Sequence, residues 1–417
     1  MVAEFEYEEL LKATDNFSPS RLIGKGSHGS VYAAKLIIRN NESLVVAVKK
    51  PLQLHGHDHH NHSHNHNHEN HDHDDRHART GNSNLENEIR VLSSLPENPH
   101  IIKLLGTSHD SARNCRLLVM ELMPNGSLHD LLHVAETPPS WSKRVETVFQ
   151  IAKAVRSLHG AAAAVVPPHH HQPYSVIVHR DIKSENVLFD SDWVAKLADF
   201  GLAVALDDVD SARDGPGPGQ VPAAAGTIGY LDPCYTAPSK LSTKNDVFSF
   251  GVLVMEIVSG RRVMDVSRSR TSLAEWAAPL IRERRLDEIY DARVPSPDDD
   301  VAVGSTVREL LYVAASCVSL EEDCRPSMSD VVGGMLGRLE RVDRFPIWMT
   351  SFLRGVMLVR IKRRKKLAKR WRQIKCDEAP IIIEGRQGVN QYGDDHDVSK
   401  RNRIMLRELL LADVTTK

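Results

Sequence analysis

The stretch VHRDIKSENVL, residues 178–188, decides the fold, because it fits the pattern H-R-D-x-x-x-x-N residue for residue. In this pattern Asp181 is placed to accept the proton of an attacking hydroxyl, and Lys183 to steady a γ-phosphate. Asn186 supplies one ligand for Mg²⁺, and Asp199, the first residue of an Asp-Phe-Gly motif, supplies another. The spacing therefore predicts phosphoryl transfer from a nucleotide that is bound with Mg²⁺.

Upstream, the stretch IGKGSHGSV fits G-x-G-x-x-G-x-V and runs into the strand-like sequence SVYAAKLI. Dinucleotide-binding folds use similar glycines, but there the glycines open a helix. A strand context favours a hairpin whose backbone approaches nucleotide phosphates, since glycine has no side chain. A plain glycine turn is the alternative. The candidate nucleotide-binding residues of this stretch are Ile23, Gly24, Lys25, Gly26, Ser27, His28, Gly29, Ser30 and Val31.

Lys49 ends the apolar strand pattern VAVK, close after the glycines. In this position a lysine is expected to hold the α- and β-phosphates, and it needs an acidic partner. Glu88 is the candidate, because in the helical pattern NLENEIRVLSSL it shares a face with Leu92 and therefore points towards the strands. Glu86 is the alternative, but it is expected to point towards solvent.

The four motifs occur in one order, the first two among strand patterns and the last two among helix patterns. Strands dominate to about residue 122 and helices from residue 127 onward, which predicts an α+β protein with two lobes. The 417 residues carry a net charge of -2, which argues against a nucleic-acid partner. No stretch approaches the roughly 20 apolar residues that span a bilayer, and the acidic start resembles no signal peptide. A cytoplasmic location is expected.

Two segments stand apart in composition. Residues 55–77 are low-complexity and rich in histidine, and they are expected to form most of a disordered insert, 55–83. Binding of Zn²⁺, Cu²⁺ or Ni²⁺ and a pH switch are the alternatives to a merely tolerated expansion. A basic run from Arg360 to Lys375 follows apolar residues, which suits contact with an anionic membrane, nuclear import or a solvated helix.

With these motifs in place, the chain resembles the protein kinases, specifically the plant receptor-like group. The opening FEYEELLKATDNFSPSRLIGKGSHGSVY is similar to the N-terminal segment of those kinases, notably in the crinkly-related branch. GTIGYLDP, DVFSFGVLVMEIVSGRR and CRPSM are similar to later motifs of the same family. The resemblance covers about residues 5–340. It implies the bilobal kinase fold, ATP and Mg²⁺ as cofactors, and transfer to serine or threonine of protein substrates.

The resemblance also implies supporting roles. The adenine base of ATP would lie between apolar side chains. The hinge, which is the segment that joins the two lobes, would form hydrogen bonds with the edge of the base. A column of four side chains would mark the active state, and one aspartate would brace the catalytic loop. These residues are Val31, Ala47 and Leu188 for adenine; Glu121 to Met123 for the hinge, with Met120 behind it; Leu92, Leu104, His179 and Phe200 for the column; and Asp246 for the brace.

The expected organisation has three parts: an N-terminal helix in 1–16, a kinase domain in 17–340 and a basic tail in 341–417. Within the kinase domain the lobes divide at about residues 17–122 and 123–340. The resemblance suggests a membrane receptor kinase as partner and peripheral contact with the plasma membrane through the basic tail. A weakly active or inactive scaffold with a kinase fold is the alternative function.

One motif departs from the family pattern, which reads YLDPEY where this chain has YLDPCY, residues 230–235. The missing glutamate normally pairs with the arginine that corresponds to Arg325. Asp232 or Glu321 is expected to replace it; otherwise the larger lobe would be weakened, because one partner of a buried ion pair would be missing.

Arg180 precedes Asp181, which in this family implies control by phosphorylation of the activation segment. Between Asp199 and Tyr230 only Ser211 and Thr227 carry an aliphatic hydroxyl. Ser211 is the predicted regulatory phosphosite; three nearby aspartates are the alternative source of negative charge. Lys183 and Thr227 suit transfer to serine or threonine better than transfer to tyrosine.

Overall fold

The first part of the chain forms one sheet of six strands. The computed structural model describes residues 3–26, 29–37, 43–51, 71–110, 115–160, 176–206, 224–235, 237, 240–267 and 270–339. The strands lie in the order β1-β5-β6-β4-β3-β2, and only the β1–β5 pair is parallel. Their bounds are β1 Ala3–Glu4, β2 Leu22–Gly26, β3 Gly29–Ile37, β4 Ser43–Lys50, β5 Leu104–Asp110 and β6 Cys115–Glu121.

Alternation along β4 gives the sheet two different faces. Val46 and Val48 are buried on one face, while Ala47 and Lys49 point the other way, as the period of two along a strand requires. The helix α1, Tyr7–Ala13, covers the first face through its fully buried Leu10. The second face, which carries Ala47 and Lys49, is not covered by α1.

Gly106 on β5 lets the N-terminal strand approach closely. A Cβ atom at this position would lie 2.4 Å from the carbonyl oxygen of Ala3 and 2.4 Å from the ring of Phe5. Any larger residue would push β1 away from the sheet, because such distances are far below van der Waals contact.

The helix α2, His71–Ser94, begins earlier than the sequence predicts. Its first thirteen residues, 71–83, fall inside the segment 55–83 that is expected to be disordered, so that prediction is wrong for these residues. A helix that has already nucleated gains one hydrogen bond for each residue added. Extending this helix from Asn84 back towards its N-terminus therefore costs little free energy. Residues 52–70 lie outside the described part of the chain.

Helices dominate the second part of the chain. They are α3 Leu128–His133, α4 Trp141–Leu158, α5 Thr243–Ser259, α6 Leu273–Arg282, α7 Val301–Cys317 and α8 Met328–Leu339. Two short antiparallel pairs lie among them: β7 Ile177–Val178 with β10 Val204–Ala205, and β8 Val187–Phe189 with β9 Ala195–Leu197. The predicted α+β fold with two lobes is thus confirmed.

The helix α5 is the centre of the helical lobe, since every residue from Asn245 to Ser259 is buried. Its ends are well defined: Ser242 and Asn245 form a capping box, and Gly260 closes the helix in the left-handed conformation with φ 61°. Gly251 allows α7 to pack closely, because a Cβ atom there would lie 2.6 Å from Cβ of Cys317.

The structure selects Asp232 as the partner of Arg325. Nη1 and Nη2 of Arg325 lie 2.5 and 2.9 Å from the two carboxylate oxygens of Asp232, and both side chains are fully buried. Asn245 donates a further hydrogen bond to Asp232 at 2.8 Å. Glu321, the other candidate, is exposed and accepts a bond from Sγ of Cys324 instead.

This pair makes Asp232 a sharp test of the fold. We expect Asp232→Asn to lower the free energy of unfolding by about 3–5 kcal/mol at pH 7, because the charge of Arg325 would remain buried without an acidic partner. Chemical denaturation of both proteins measures the difference. Glu321→Gln is the control and should change stability by less than about 0.5 kcal/mol. Equal losses in both variants would show that the ion pair does not stabilise this lobe.

The same comparison has a defined pH dependence. Burial raises the pKa of Asp232, but hydrogen bonds from Arg325 and two further donors lower it by more, so it lies below its ordinary value. The stabilisation is therefore complete above the unfolded-state pKa of about 4, and it is lost as the pH falls through the folded-state pKa. The difference between wild type and Asp232→Asn should shrink only in that acidic range.

Candidate active site

The ammonium of Lys49 lies between two carboxylates that come from distant parts of the chain. Its Nζ is 2.6 Å from Oε2 of Glu88 on α2 and 2.9 Å from Oδ1 of Asp199, which follows β9. Burial lowers the pKa of Lys49, but the two carboxylates raise it by more, so the side chain stays charged. Glu86 points outward and contacts the exposed Arg116 at 3.3 Å. The structure thus places Glu88, and not Glu86, beside Lys49.

The segment that begins with Asp199 is held against α2 by backbone contacts. Oε1 of Glu88 accepts the amide hydrogen of Phe200 at 3.3 Å. The side-chain amide of Asn87 donates to the carbonyl oxygens of Gly201 and Ala203 at 3.0 and 2.9 Å. The sequence does not predict this role of Asn87, because nothing in its local pattern distinguishes it from a solvent-facing asparagine.

The four residues of the expected apolar column all lie in the interior. The rings of Phe200 and His179 meet edge to face with centroids 4.7 Å apart. Leu92 is buried and Leu104 is half-buried, and both pack in the apolar cluster that includes Phe200. Leu92 on α2 and Leu104 on β5 thus belong to the same apolar core as Phe200, which itself contacts His179 of the catalytic loop.

Asp246 braces the catalytic loop from inside α5. Its carboxylate accepts the backbone amides of His179 and Arg180 at 2.8 and 2.9 Å, and Nε2 of His159 lies 3.0 Å away. Burial would raise the pKa of Asp246, but the hydrogen bond and charge of His159, together with His179, hold it below its ordinary value. The bonds compensate for the left-handed backbone at Arg180, φ 71°. The sequence does not predict this contact of His159, because its partner lies 87 positions away.

The side chains around Asp181 fix the direction of its carboxylate. Nζ of Lys183 lies 2.8 Å from Oδ2, and the amide of Asn186 donates to the same oxygen at 3.1 Å and to the Asp181 carbonyl at 2.8 Å. Thr227 donates from Oγ1 to Oδ1 of Asp181 at 2.6 Å and accepts from Lys183 at 2.8 Å. The structure therefore brings together all four predicted residues of this group.

Ser184 and Tyr230 join the catalytic loop to α5 through Glu256. Oγ of Ser184 donates to Oε1 of Glu256 at 2.9 Å, and the phenol of Tyr230 donates to Oε2. Burial and the nearby Glu256 raise the pKa of Tyr230, so the phenol stays protonated and remains a donor. This network also was missed, since its members lie far apart in the sequence.

The glycine-rich stretch forms a strand hairpin, as its strand context predicts. Gly24 pairs with Val31 and Gly26 with Gly29 across β2 and β3, whereas Ser27 and His28 lie outside the described residues. At Gly29, with φ 153°, a Cβ atom would lie 2.5 Å from the carbonyl oxygen of Lys50, so only glycine fits. The paired residues also include Lys25 with Ser30, and Leu22, next to Ile23, with Tyr32.

Two of the three predicted adenine residues, Val31 and Ala47, lie on the face of the sheet that carries Lys49. Val31 is paired with Lys49, and Ala47 with Met120, across three adjacent strands. Leu188 is half-buried on β8 in the second lobe.

The predicted hinge begins at Glu121, at the end of β6. Its amide donates to the carbonyl oxygen of Lys103 at 3.1 Å, and its carboxylate accepts from the Lys103 amide and from Nζ of Lys196, both at 2.7 Å. The carbonyl oxygen of Met123 accepts the Gly126 amide at 3.4 Å. These bonds hold the connection between the lobes in one position.

Arg180, the predicted sensor of phosphorylation, is a buried side chain, only 7% exposed. Its Nη1 donates to the carbonyl oxygen of Leu202 at 3.2 Å, and its guanidinium lies 5.9 Å from the ring centre of Tyr235. Ser211 and the whole of 207–223 lie outside the described residues, as does the basic tail.

A buried lysine–glutamate pair in a strand-rich lobe and an H-R-D loop in a helical lobe are features that protein kinases share. The protein kinase domain family matches residues 17–334, and the chain belongs to this family. The family uses ATP and a divalent metal ion and acts on proteins.

The similar proteins place the chain more narrowly, as a plant serine/threonine protein kinase. Two serine/threonine-protein kinase-like proteins of Arabidopsis thaliana are 47% identical over 368 residues and 38% identical over 343 residues. The alignments cover 87% and 81% of this chain and 95% and 80% of those relatives. A probable serine/threonine-protein kinase of the same organism, PBL26, is 35% identical over 80% of this chain and 70% of its own length.

Among the described residues, the structure contains no helix of sufficient length and apolar character to cross a membrane.

The hydroxyl of Thr227 connects Lys183 to Asp181, and we expect its removal to slow catalysis. Thr227→Ala should lower kcat by about tenfold to a hundredfold, because a hydrogen bond to a charged group contributes about 1.5–3 kcal/mol. Thr227→Ser keeps the hydroxyl and should retain most of the activity. Steady-state phosphorylation of a peptide measures both variants; an equal loss in both would show that the methyl group matters and the hydroxyl does not.

Proposed function

We propose that this chain is a catalytically active kinase that transfers the γ-phosphate of Mg-ATP to serine or threonine hydroxyls of proteins. The observation that carries the proposal is the contact of Lys49 with both Glu88 and Asp199. These contacts bring an ordered cation from the first lobe to a candidate metal ligand of the second.

The donor atoms of the site fit Mg²⁺. Asp199 offers a carboxylate whose side chain is 26% exposed, and Asn186 offers its amide oxygen, since its amide nitrogen donates to Asp181. Mg²⁺ prefers oxygen ligands and is usually held by one or two protein side chains together with phosphates. When bound, the ion would neutralise charge on the phosphate oxygens.

Side chains of the protein accept the proton, stabilise the transferred group and position the nucleotide. Asp181, with its carboxylate oriented by Lys183 and Asn186, accepts the proton of the attacking hydroxyl. Lys183 stabilises negative charge on the transferred group. Lys49 and the glycine hairpin position the nucleotide, and Val31, Ala47 and Leu188 enclose its base.

The test is autophosphorylation with Mg-ATP beside Asp181→Asn. We expect the variant to lose about 10²–10⁴-fold in rate, because the acceptor of the proton is removed. Binding of a fluorescent ATP analogue should change little, since among the described residues the Asp181 carboxylate contacts Lys183, Asn186 and Thr227, whereas Lys49 contacts Glu88 and Asp199. Asp192→Asn, an exposed aspartate of the same lobe, is the matched control and should keep full activity.

The alternative is a scaffold that binds partners without catalysis. It predicts no difference between wild type and Asp181→Asn, and this result would overturn the proposal. The sequence feature that favours a scaffold is Cys234, which stands where the family pattern has glutamate. The bidentate pair of Asp232 with Arg325 weakens that reason, because the buried arginine has an acidic partner.

Phosphorylation of Ser211 is proposed as the activating signal. Arg180 beside the catalytic aspartate is the cation that such a phosphate would contact. Ser211→Ala should lower activity after incubation with Mg-ATP by about tenfold, and mass spectrometry should find the phosphate on Ser211 of the wild type. Ser316→Ala, on the exposed side of α7, is the control. Equal activity of Ser211→Ala and wild type would reject the proposal.

We also propose receptor-linked signalling at the plasma membrane, with the basic tail as the contact. Each Lys or Arg near an anionic surface contributes about 1 kcal/mol, and the run Arg360 to Lys375 holds many. Sedimentation of the full chain with phosphatidylserine vesicles, but not with phosphatidylcholine vesicles, is the expected result. Equal sedimentation with both lipids would contradict an electrostatic contact. The crinkly-related branch and the domain limits remain predictions.

A further inference from the structure

Two histidines and a glutamate form a cluster behind the catalytic loop. His129 and His133 are four residues apart on α3, and their ring centroids are 4.8 Å apart. Nε2 of His133 lies 2.8 Å from Oε1 of Glu256 on α5. One ligand atom from each of the three residues lies within 4.8 Å of the other two. The roles proposed above for the cleft need neither histidine.

The cluster is closed on its inner side and open on its outer side. The side chains of His133 and Glu256 are 4% and 2% exposed, whereas that of His129 is 23% exposed. Glu185 lies at the opening, with Oε1 3.4 Å from Nδ1 of His129. An ion could therefore enter past His129, and a second carboxylate is near enough to orient its imidazole.

We propose that His129, His133 and Glu256 form a binding site for Zn²⁺. Two imidazoles at positions i and i+4 of one helix and a carboxylate from another helix are a ligand set that zinc takes in proteins. Zinc–ligand bonds of about 2.0–2.2 Å put neighbouring ligand atoms about 3.3 Å apart in a tetrahedral site. The contact of His133 with Glu256 would have to open by about 0.5 Å, and a pair of ligand atoms as far apart as 4.8 Å would have to close by about 1.5 Å.

The ligand chemistry separates this site from the metal site of the cleft. Imidazole nitrogens suit zinc and related transition metals, whereas Mg²⁺ prefers oxygen ligands. Three protein ligands also leave a fourth position for water. Excess Mg²⁺ should therefore not displace Zn²⁺ here.

Zinc at this position would compete with the catalytic loop for Glu256. Oε1 of Glu256 accepts both His133 and the hydroxyl of Ser184, which directly follows Lys183. A cation on Oε1 would weaken the bond from Ser184 and loosen the loop beside Asp181. The effect is inhibition of phosphoryl transfer; this consequence rests on the proposed function, whereas zinc binding itself does not.

Zinc titration of the full chain tests the site. In every protein compared, asparagine replaces the histidines of 55–77 and of 169–171, because those stretches could bind zinc on their own. Calorimetry in excess Mg²⁺ should show one equivalent of Zn²⁺ bound when the cluster is intact. The affinity should fall at least tenfold in the double variant His129→Asn, His133→Asn. Equal affinity in the two proteins would overturn the site.

A second experiment uses a single substitution, so that the test does not depend on correct folding of the double variant. His129→Asn alone leaves the bond of His133 to Glu256 in place, and thermal unfolding in EDTA verifies its fold. Co²⁺ should give visible absorption bands of a four- or five-coordinate ion with the intact cluster, and weaker bands with this variant. Identical spectra would contradict coordination by His129.

The inhibitory effect has its own readout. Zn²⁺ at one equivalent should lower the rate of peptide phosphorylation severalfold with the intact cluster, and much less with His129→Asn. Zinc binding without cluster-dependent inhibition would overturn the regulatory effect but support the site. Absence of any peptide phosphorylation without zinc would contradict the proposed function and leave the binding result standing.

Discussion

The buried charge of Lys49 is the constraint on which the rest of the cleft depends. A lysine that is only 6% exposed stays charged only if acidic groups reach it, and here Glu88 and Asp199 do so from two different segments. The position of α2 and the path of the chain after β9 are therefore coupled through a single ammonium. Asn87 strengthens the coupling, because it bonds the backbone that follows Asp199.

In the second lobe, buried carboxylates join segments that are distant in the sequence. Asp246 and Glu256, one near each end of α5, bind the catalytic loop, and Asp232 binds Arg325. A buried carboxylate is tolerated when several donors satisfy it, and each of these has at least three. The central helix is thus apolar along its length but carries the polar contacts that position Asp181.

Local pattern was sufficient for much of this protein. The alternation of β4 put Lys49 on the inner face, and helical spacing separated Glu88 from Glu86. The start of α2 was misjudged, because composition describes an isolated segment and neglects the low cost of extending an existing helix. His159, Asn87 and the bonds of Ser184 were missed, since their partners lie far along the chain.

The sequence by itself determined the residue types, their order and hence the class of chemistry, because these depend on short spacings within strands, turns and helices. Only the tertiary structure decided that Asp199 joins Glu88 in neutralising Lys49, and that Asp232 rather than Glu321 neutralises Arg325. Lys49 lies 39 positions from Glu88 and 150 from Asp199, and Arg325 lies 93 positions from Asp232. An ion pair depends on distance in space, and packing of the whole chain sets that distance.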